Sequence, residues 1–100
     1  MATPKIDIPL EAIADFCRRN RIRRLSLFGS VLRDDFTPES DIDILVEFEP
    51  EAVPGLAFFS MQDELSALFN RTVDLNTAGF LSKSFRDEVI AESEPVYVAA

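Results

Sequence analysis

Apolar residues recur at helical spacing in three stretches of the chain. In each stretch they lie three or four positions apart, which places them on one face of a helix. The spacing predicts helices over residues 10–19, 56–69 and 82–92. Pro9 suits the first turn of the first helix, and Pro95 is expected to end the third.

A strict alternation of apolar and polar residues makes residues 41–48 the clearest predicted strand. One face would carry Ile42, Ile44, Val46 and Phe48, and the other Asp41, Asp43, Leu45 and Glu47. Shorter strands are predicted over residues 24–28, 72–76 and 96–98, the last at a sheet edge. Gly29-Ser30 ends the first of these, and Ser30 can cap a short helix through about residue 34.

This order of elements predicts an α/β (α+β) fold, with a small mixed β-sheet and helices packed on it. A length of 100 residues favours one domain over residues 1–100, with its core over about residues 10–98. We expect no room at that size for separate catalytic and substrate-binding domains.

Composition excludes several classes of function. The chain has no His, which rules out imidazole-based catalysis, and Cys17 is its single cysteine, so neither an internal disulfide nor a zinc cluster is expected. A net charge of −8 argues against stable direct binding to nucleic acid, which depends on Lys and Arg. There is no apolar run of membrane-spanning length and no secretory signal, so we expect no membrane association and a cytoplasmic location.

The charges are unevenly distributed along the chain. Five of the ten basic residues lie within residues 18–24, whereas eight of the eighteen acids lie within residues 34–51. Such an acidic stretch repels itself unless a cation, a partner or wide spacing relieves the repulsion. We interpret the basic cluster as a solvated helix end that favours the helix dipole, with partner or nucleotide contact as the alternative.

Gly29 and Ser30 form a candidate anion site. Glycine lets the backbone turn sharply and approach a ligand closely, and a serine at a helix start lies beside free N–H groups. Together they could hold a phosphate. The alternative is an ordinary turn with a helix cap.

Three aspartates form a candidate cation site. Asp41 and Asp43 lie two positions apart on one strand, so their carboxylates would leave the same face from Cα atoms about 6.5–7 Å apart. Carboxylates together with phosphate oxygens suit Mg²⁺. Asp74 would join them if its strand pairs beside theirs. The alternatives are solvated acids on an exposed sheet face and, for Asp74, an exposed strand acid.

The spacing of these residues resembles a known family. Leu27-Phe28-Gly29-Ser30, ten further residues and then Asp41-Ile42-Asp43 resemble the Gly-Ser…Asp-x-Asp motif of the polymerase-β-like nucleotidyltransferase superfamily. Further matches are to the minimal nucleotidyltransferase group, the antitoxin half of HEPN–nucleotidyltransferase toxin–antitoxin modules. These matches are Arg33, Asp35, Ser40, Leu45-Val46-Glu47-Phe48, Val73-Asp74-Leu75 and Pro95-Val96-Tyr97. Asp34 departs from the glycine that is frequent in the family.

The resemblance implies a nucleotidyltransferase fold and an Mg²⁺-dependent transfer of AMP from ATP to a tyrosine of a partner HEPN ribonuclease toxin, which neutralises the toxin. It implies that Asp41, Asp43 and Asp74 are catalytic and bind two Mg²⁺ ions, and that Asp74 can help deprotonate the acceptor hydroxyl. Gly29 and Ser30 would hold the β- and γ-phosphates. Arg33 would either neutralise the phosphates or remain on the surface.

Two other functions remain open at this point. The chain could be a non-catalytic antitoxin that neutralises its toxin by binding, or a small-molecule nucleotidyltransferase that works with a separate substrate-binding subunit. The three acids favour an enzyme, because a pure binder does not need all of them. In the enzyme interpretation the acceptor is presented by a partner in a hetero-oligomer or lies in a shallow open cleft, since we expect no acceptor domain within 100 residues.

Overall fold

The computed structural model describes residues 8–32, 36–37, 39–52, 55–77 and 83–99. Its helices and strands are, in chain order, α1 (Leu10–Arg19), β1 (Ile22–Phe28), β2 (Ile42–Phe48), α2 (Ala57–Phe69), β3 (Val73–Thr77), α3 (Lys83–Glu92) and β4 (Glu94–Val98). A single 3-10 turn, Gly29–Leu32, follows β1. Within the described residues, no helix has the length and apolar character needed to cross a membrane.

The four strands form one mixed sheet in the order β3-β2-β1-β4. β1 pairs antiparallel with both β2 and β4, whereas β2 and β3 are parallel. A parallel pair needs a long crossover connection, and α2 supplies it. The predicted α+β architecture with a mixed sheet is therefore confirmed.

The main core lies between α1, α2 and one face of the sheet. It consists of apolar side chains that recur at the predicted helical and alternating spacings. The central members are Ile13, Phe16 and Cys17 of α1, Leu25 and Leu27 of β1, Ile42, Ile44 and Val46 of β2, Phe58, Met61, Leu65 and Phe69 of α2, and Val73 and Leu75 of β3. Burial raises the pKa of the Cys17 thiol to about 12, so this cysteine is a packing residue rather than a nucleophile.

The opposite face of the sheet carries a second, smaller cluster. Leu45 packs with Phe28 and with Val89 of α3. The predicted direction of Leu45, on the same face as the strand's acids, is consistent with this cluster. Helix α3 buries that part of the face, so the acidic face of β2 is covered by apolar contacts along part of its length.

The predicted bounds of β2, α2 and β3 differ from the structure by one residue, and the predicted starts of β1 and β4 differ by two residues. β1 begins at Ile22 rather than at residue 24, because Ile22 pairs with Phe48 of β2 across a bulge. Helix α3 ends at Glu92, as predicted, but β4 begins at Glu94 rather than at residue 96, so Pro95 lies inside the strand, opposite Ser26. Proline is tolerated there because β4 is an edge strand, which leaves one side without ladder bonds.

The basic cluster is also distributed differently from the prediction. Only Arg18 and Arg19 lie in the last turn of α1. Arg21 bonds Glu49 at 3.1 Å, and Arg23 and Arg24 contact Glu47 at 3.3 and 3.6 Å. The antiparallel register of β1 and β2 thus pairs part of the basic cluster with part of the acidic stretch. Each exposed pair stabilises the fold by about 0–1 kcal/mol.

Candidate active site

Asp43 and Asp74 are direct neighbours in the sheet. They are register partners in the parallel pair of β2 and β3, a pairing that spaces backbones about 4.8 Å apart. Asp43 is half-buried, whereas Asp74 is exposed on the edge strand β3. The prediction that the third acid's strand lies beside the Asp41–Asp43 strand is therefore confirmed.

Asp41 lies immediately before β2 and is exposed. The next residue, Ile42, pairs with Val73, and its N–H donates to the carbonyl of Thr72 at 2.9 Å. This bond joins the first residue of β2 to the residue that precedes β3, close to the Asp43–Asp74 pair. All three predicted acids consequently lie at the amino-terminal ends of these two strands.

The side chains of Asp41, Asp43 and Asp74 do not converge on one point in the structure. No three acidic or cysteine side chains among the described residues converge closely enough to hold a metal ion. Among the same residues, no basic side chain forms an ion pair with Asp41 or Asp74. The roles of these acids in binding metal stay a prediction.

Gly29 places the turn after β1 directly against Asp43. It follows Phe28, the β1 partner of Asp43, and has a φ of +76°, a left-handed conformation that favours glycine. A Cβ at this position would overlap with Oδ2 of Asp43 and lie 3.2 Å from its Cγ. Glycine is therefore required here for two independent reasons, its φ and the close approach of a carboxylate.

Ser30 is half-buried within the same turn, whose four residues are Gly29–Leu32. The predicted short helix is thus a single 3-10 turn in the described residues. Arg33 and Asp34 lie outside the described residues, as does Asp35. The structure brings Gly29 together with Asp43 and Asp74, and places Ser30 one residue further along the turn.

Sequence reasoning missed Arg71, which lies between α2 and β3. Its Nη1 donates to the carbonyls of Thr37 and Ser40, at 3.2 and 3.4 Å, and its Cζ lies 4.6 Å from the ring centroid of Phe36. Arg71 thereby contacts the segment that leads into Asp41. One signal could have indicated it: Arg71 is the first basic residue after Arg33 and lies three positions before Asp74.

A surface hollow of about 360 Å³ lies at the other end of β2, lined by Arg21, Glu49, Pro50 and Glu51. The 3.1 Å ion pair of Arg21 and Glu49 forms part of its wall. Because β2 spans seven residues, this hollow is about 20 Å from the acids. We therefore assign the candidate chemistry to the open acidic end rather than to the hollow.

Comparison with known proteins decides the family. A profile described as "Nucleotidyltransferase domain" matches residues 10–97, which is most of the chain. The chain belongs to the nucleotidyltransferase domain family. The matched range includes the Gly29-Ser30 turn and all three acids.

The relatives of this nucleotidyltransferase include small archaeal proteins. A protein of Methanocaldococcus jannaschii that carries the name of a protein adenylyltransferase is 39% identical over 75 residues, covering 70% of this chain and 76% of that protein. Protein adenylyltransferase MntA of Thermococcus cleftensis is 35% identical over 71 residues, covering 71% of each chain. The resemblance to minimal nucleotidyltransferases is confirmed.

Solved structures share the fold. A minimal nucleotidyltransferase superposes with a TM-score of 0.73 at 31% identity, covering 86% of this chain and 87% of that one. A toxin–antitoxin with AMP-PNP gives 0.74 at 21% identity, covering 92% and 75%. A tri-AMPylated HEPN toxin of Shewanella oneidensis in complex with its MNT antitoxin gives 0.65 at 22% identity, covering 90% and 70%. The likeness confirms the nucleotidyltransferase fold.

Proposed function

We propose that this nucleotidyltransferase is an antitoxin that transfers AMP from ATP to a tyrosine of a partner HEPN ribonuclease toxin and so neutralises it. The observation that carries the proposal is the register pairing of Asp43 with Asp74 beside the Gly29 turn. The names of the relatives, protein adenylyltransferases, support the same reaction. The toxin–antitoxin structures with AMP-PNP and with an AMPylated toxin support the nucleotide and the partner.

The donor set fits Mg²⁺. The three residues contribute hard carboxylate oxygens, and among the described residues neither Asp41 nor Asp74 is neutralised by a basic side chain. Asp41, Asp43 and Asp74 would hold two Mg²⁺ ions. When bound, these ions neutralise charge on the triphosphate and on the oxygens that gain charge during transfer.

The remaining roles follow from position. Gly29 and Ser30 would hold the β- and γ-phosphates through the backbone N–H groups of their turn, which lies directly against the Asp43 carboxylate because Gly29 has no Cβ. With no His in the chain, a carboxylate or a metal-bound group would accept the acceptor's proton, and Asp74 is exposed on an edge strand where an incoming hydroxyl can reach it. The tyrosine oxygen then bonds to the α-phosphorus, the bond from that phosphorus to the bridging oxygen breaks, and pyrophosphate leaves.

The acceptor side of the site is open in the described part of the chain. Asp41 and Asp74 are both exposed, which suits an acceptor carried by another protein. The net charge of −8 would also attract a basic, RNA-cleaving partner. We accordingly propose that the chain works in a hetero-oligomer with the toxin.

The test uses the chain, its HEPN partner, Mg²⁺ and ATP labelled on the α-phosphate. We expect label on a toxin tyrosine with the wild type and none with Asp41→Asn/Asp43→Asn, which keeps side-chain size while removing both charges. Glu47→Gln is the matched control, because Glu47 lies on the same strand but is paired with Arg23 and Arg24. It should retain wild-type labelling.

The outcomes separate the alternatives. Tight neutralisation of the toxin by the wild type without labelling would contradict the transferase and support neutralisation by binding alone. Label that appears on a small molecule and not on the toxin would support a small-molecule nucleotidyltransferase instead.

A further inference from the structure

Arg71 joins the two segments that carry the candidate acids. On one side it lies three residues before Asp74, at the entrance to β3. On the other it holds the segment that ends at Ser40, the residue before Asp41. We infer that Arg71 is a positioning residue for the proposed AMP transfer: it fixes Asp41 relative to Asp74 before nucleotide and metal arrive. This inference rests on the proposed function.

The segment that Arg71 holds is a closed turn. The N–H of Thr37 donates to Oγ of Ser40 at 3.0 Å, and the N–H of Ser40 donates back to the carbonyl of Thr37 at 3.0 Å. The two side-chain hydroxyls also lie 3.1 Å apart. Because Arg71 bonds the carbonyls of both residues, it holds this turn as a unit rather than by one flexible contact.

The contact uses properties that only arginine combines. The guanidinium carbon lies 4.6 Å from the centroid of the Phe36 ring while Nη1 donates to two carbonyls. A planar guanidinium can stack and donate at once, whereas a lysine ammonium is a point charge without a flat face. Phe36 in turn packs against the main core, so the turn is tied to the body of the protein.

Charge explains why such a connection is needed. Asp41 and Asp74 carry like charges at the ends of adjacent strands, and neither has a basic ion-pair partner among the described residues. Their repulsion favours separation of the two segments. The backbone bond from Ile42 to Thr72, at 2.9 Å, opposes that separation at one point, and Arg71 opposes it from the other side of Asp41.

We expect the loss of the Arg71 contacts to lower the turnover number, kcat, more than it changes KM for ATP. Misplacing a reacting group by about 1 Å can cost up to about 100-fold in rate, even when the substrate still binds. Arg71→Gln should therefore lower kcat for AMP transfer by about 10-fold or more, with KM for ATP changed less than about threefold. Arg71→Lys, which restores charge without the flat face, should give an intermediate kcat.

Arg21→Gln is the matched control. Arg21 also connects two segments, through its 3.1 Å contact with Glu49, but at the far end of β2. Its kcat should stay within about twofold of the wild type. Amide hydrogen exchange supplies the readout that does not need activity: exchange at Ser40 and Ile42 should be faster in Arg71→Gln than in the wild type, and unchanged in Arg21→Gln.

Each outcome of these measurements supports or overturns the positioning role of Arg71. A wild-type kcat or unchanged exchange in folded Arg71→Gln overturns the inference, as does an equal loss in both arginine variants. If Arg71→Gln does not fold, Arg71→Lys and Phe36→Leu are measured in its place. A wild-type kcat in both of these variants overturns the inference. If the wild type itself transfers no AMP, the proposed function fails, whereas the exchange comparison still tests whether Arg71 holds the turn.

Discussion

Acidic side chains lie at both ends of β2, but the two ends differ in the ion pairs that these side chains form with basic side chains among the described residues. At the carboxyl end, Glu47 and Glu49 are paired with arginines that follow α1 and begin β1. At the amino end, neither Asp41 nor Asp74 on the neighbouring strand β3 has a basic ion-pair partner among the described residues. One strand about 20 Å long thus separates ion-paired acids from the acids that we propose as cation ligands.

The difference shows how to interpret the excess of negative charge. Asp43 and Asp74 place two carboxylates at neighbouring register positions, where like charges repel unless a partner relieves the repulsion. Functional sites often carry such costs because the arrangement serves binding rather than stability. The paired glutamates, in contrast, are explained by the sheet register alone.

A large effect is expected at Gly29. Gly29→Ala forces a Cβ onto the Asp43 carboxylate at a left-handed φ, so AMP transfer per folded molecule should fall by about 100-fold. Gly55→Ala is the matched control, because Gly55 also has a positive φ, of 57°, but open space at its Cβ. It should cost about 1–2 kcal/mol of stability and leave transfer unchanged.

Transfer rates normalised to the folded fraction from circular dichroism measure this contrast. Equal loss of normalised rate in both glycine variants would mean that backbone strain, and not the approach to Asp43, governs activity.

A smaller effect is expected at the carboxyl end of β2, where the glutamates form ion pairs with arginines. Glu47→Gln removes a charge that contacts Arg23 and Arg24, so it should lower the free energy of unfolding by up to about 1 kcal/mol at low salt. The loss should shrink at about 1 M salt, where such exposed pairs are screened. Urea unfolding at the two salt concentrations measures it, and a salt-independent loss would show that Glu47 acts through packing instead.

Much of this arrangement could be predicted from the sequence. The alternation over residues 41–48 correctly predicted β2 and the face that carries its acids, because period two leaves a direct pattern in the residues. Helix α1 was predicted at its observed bounds for the same reason, with period 3.6. The resemblance to the family predicts that Gly29 and Asp43 contribute to one site, and the structure places the two residues side by side.

The rest depends on tertiary pairing. The ion pairs of Arg23 and Arg24 follow from the register of β1 against β2, which no local pattern encodes. The pattern predicts a last strand that starts after Pro95, but β4 includes Pro95, because an edge strand tolerates a proline. Arg71 bonds backbone carbonyls of a distant turn, and a contact of that kind leaves no constraint on the partner residues' side chains.

Asp74→Asn tests most directly the claim that the acids at the amino-terminal ends of β2 and β3 serve AMP transfer rather than stability. It measures both properties in one variant. Without metal, urea unfolding should show a stability within about 1 kcal/mol of the wild type, since Asp74 is exposed and has no basic ion-pair partner to lose among the described residues. In the same preparation, AMP transfer to the partner toxin should fall by about 100-fold or more, because the proposed proton acceptor is lost. Wild-type transfer by this variant would contradict the account, and so would a loss of activity that merely follows a loss of stability.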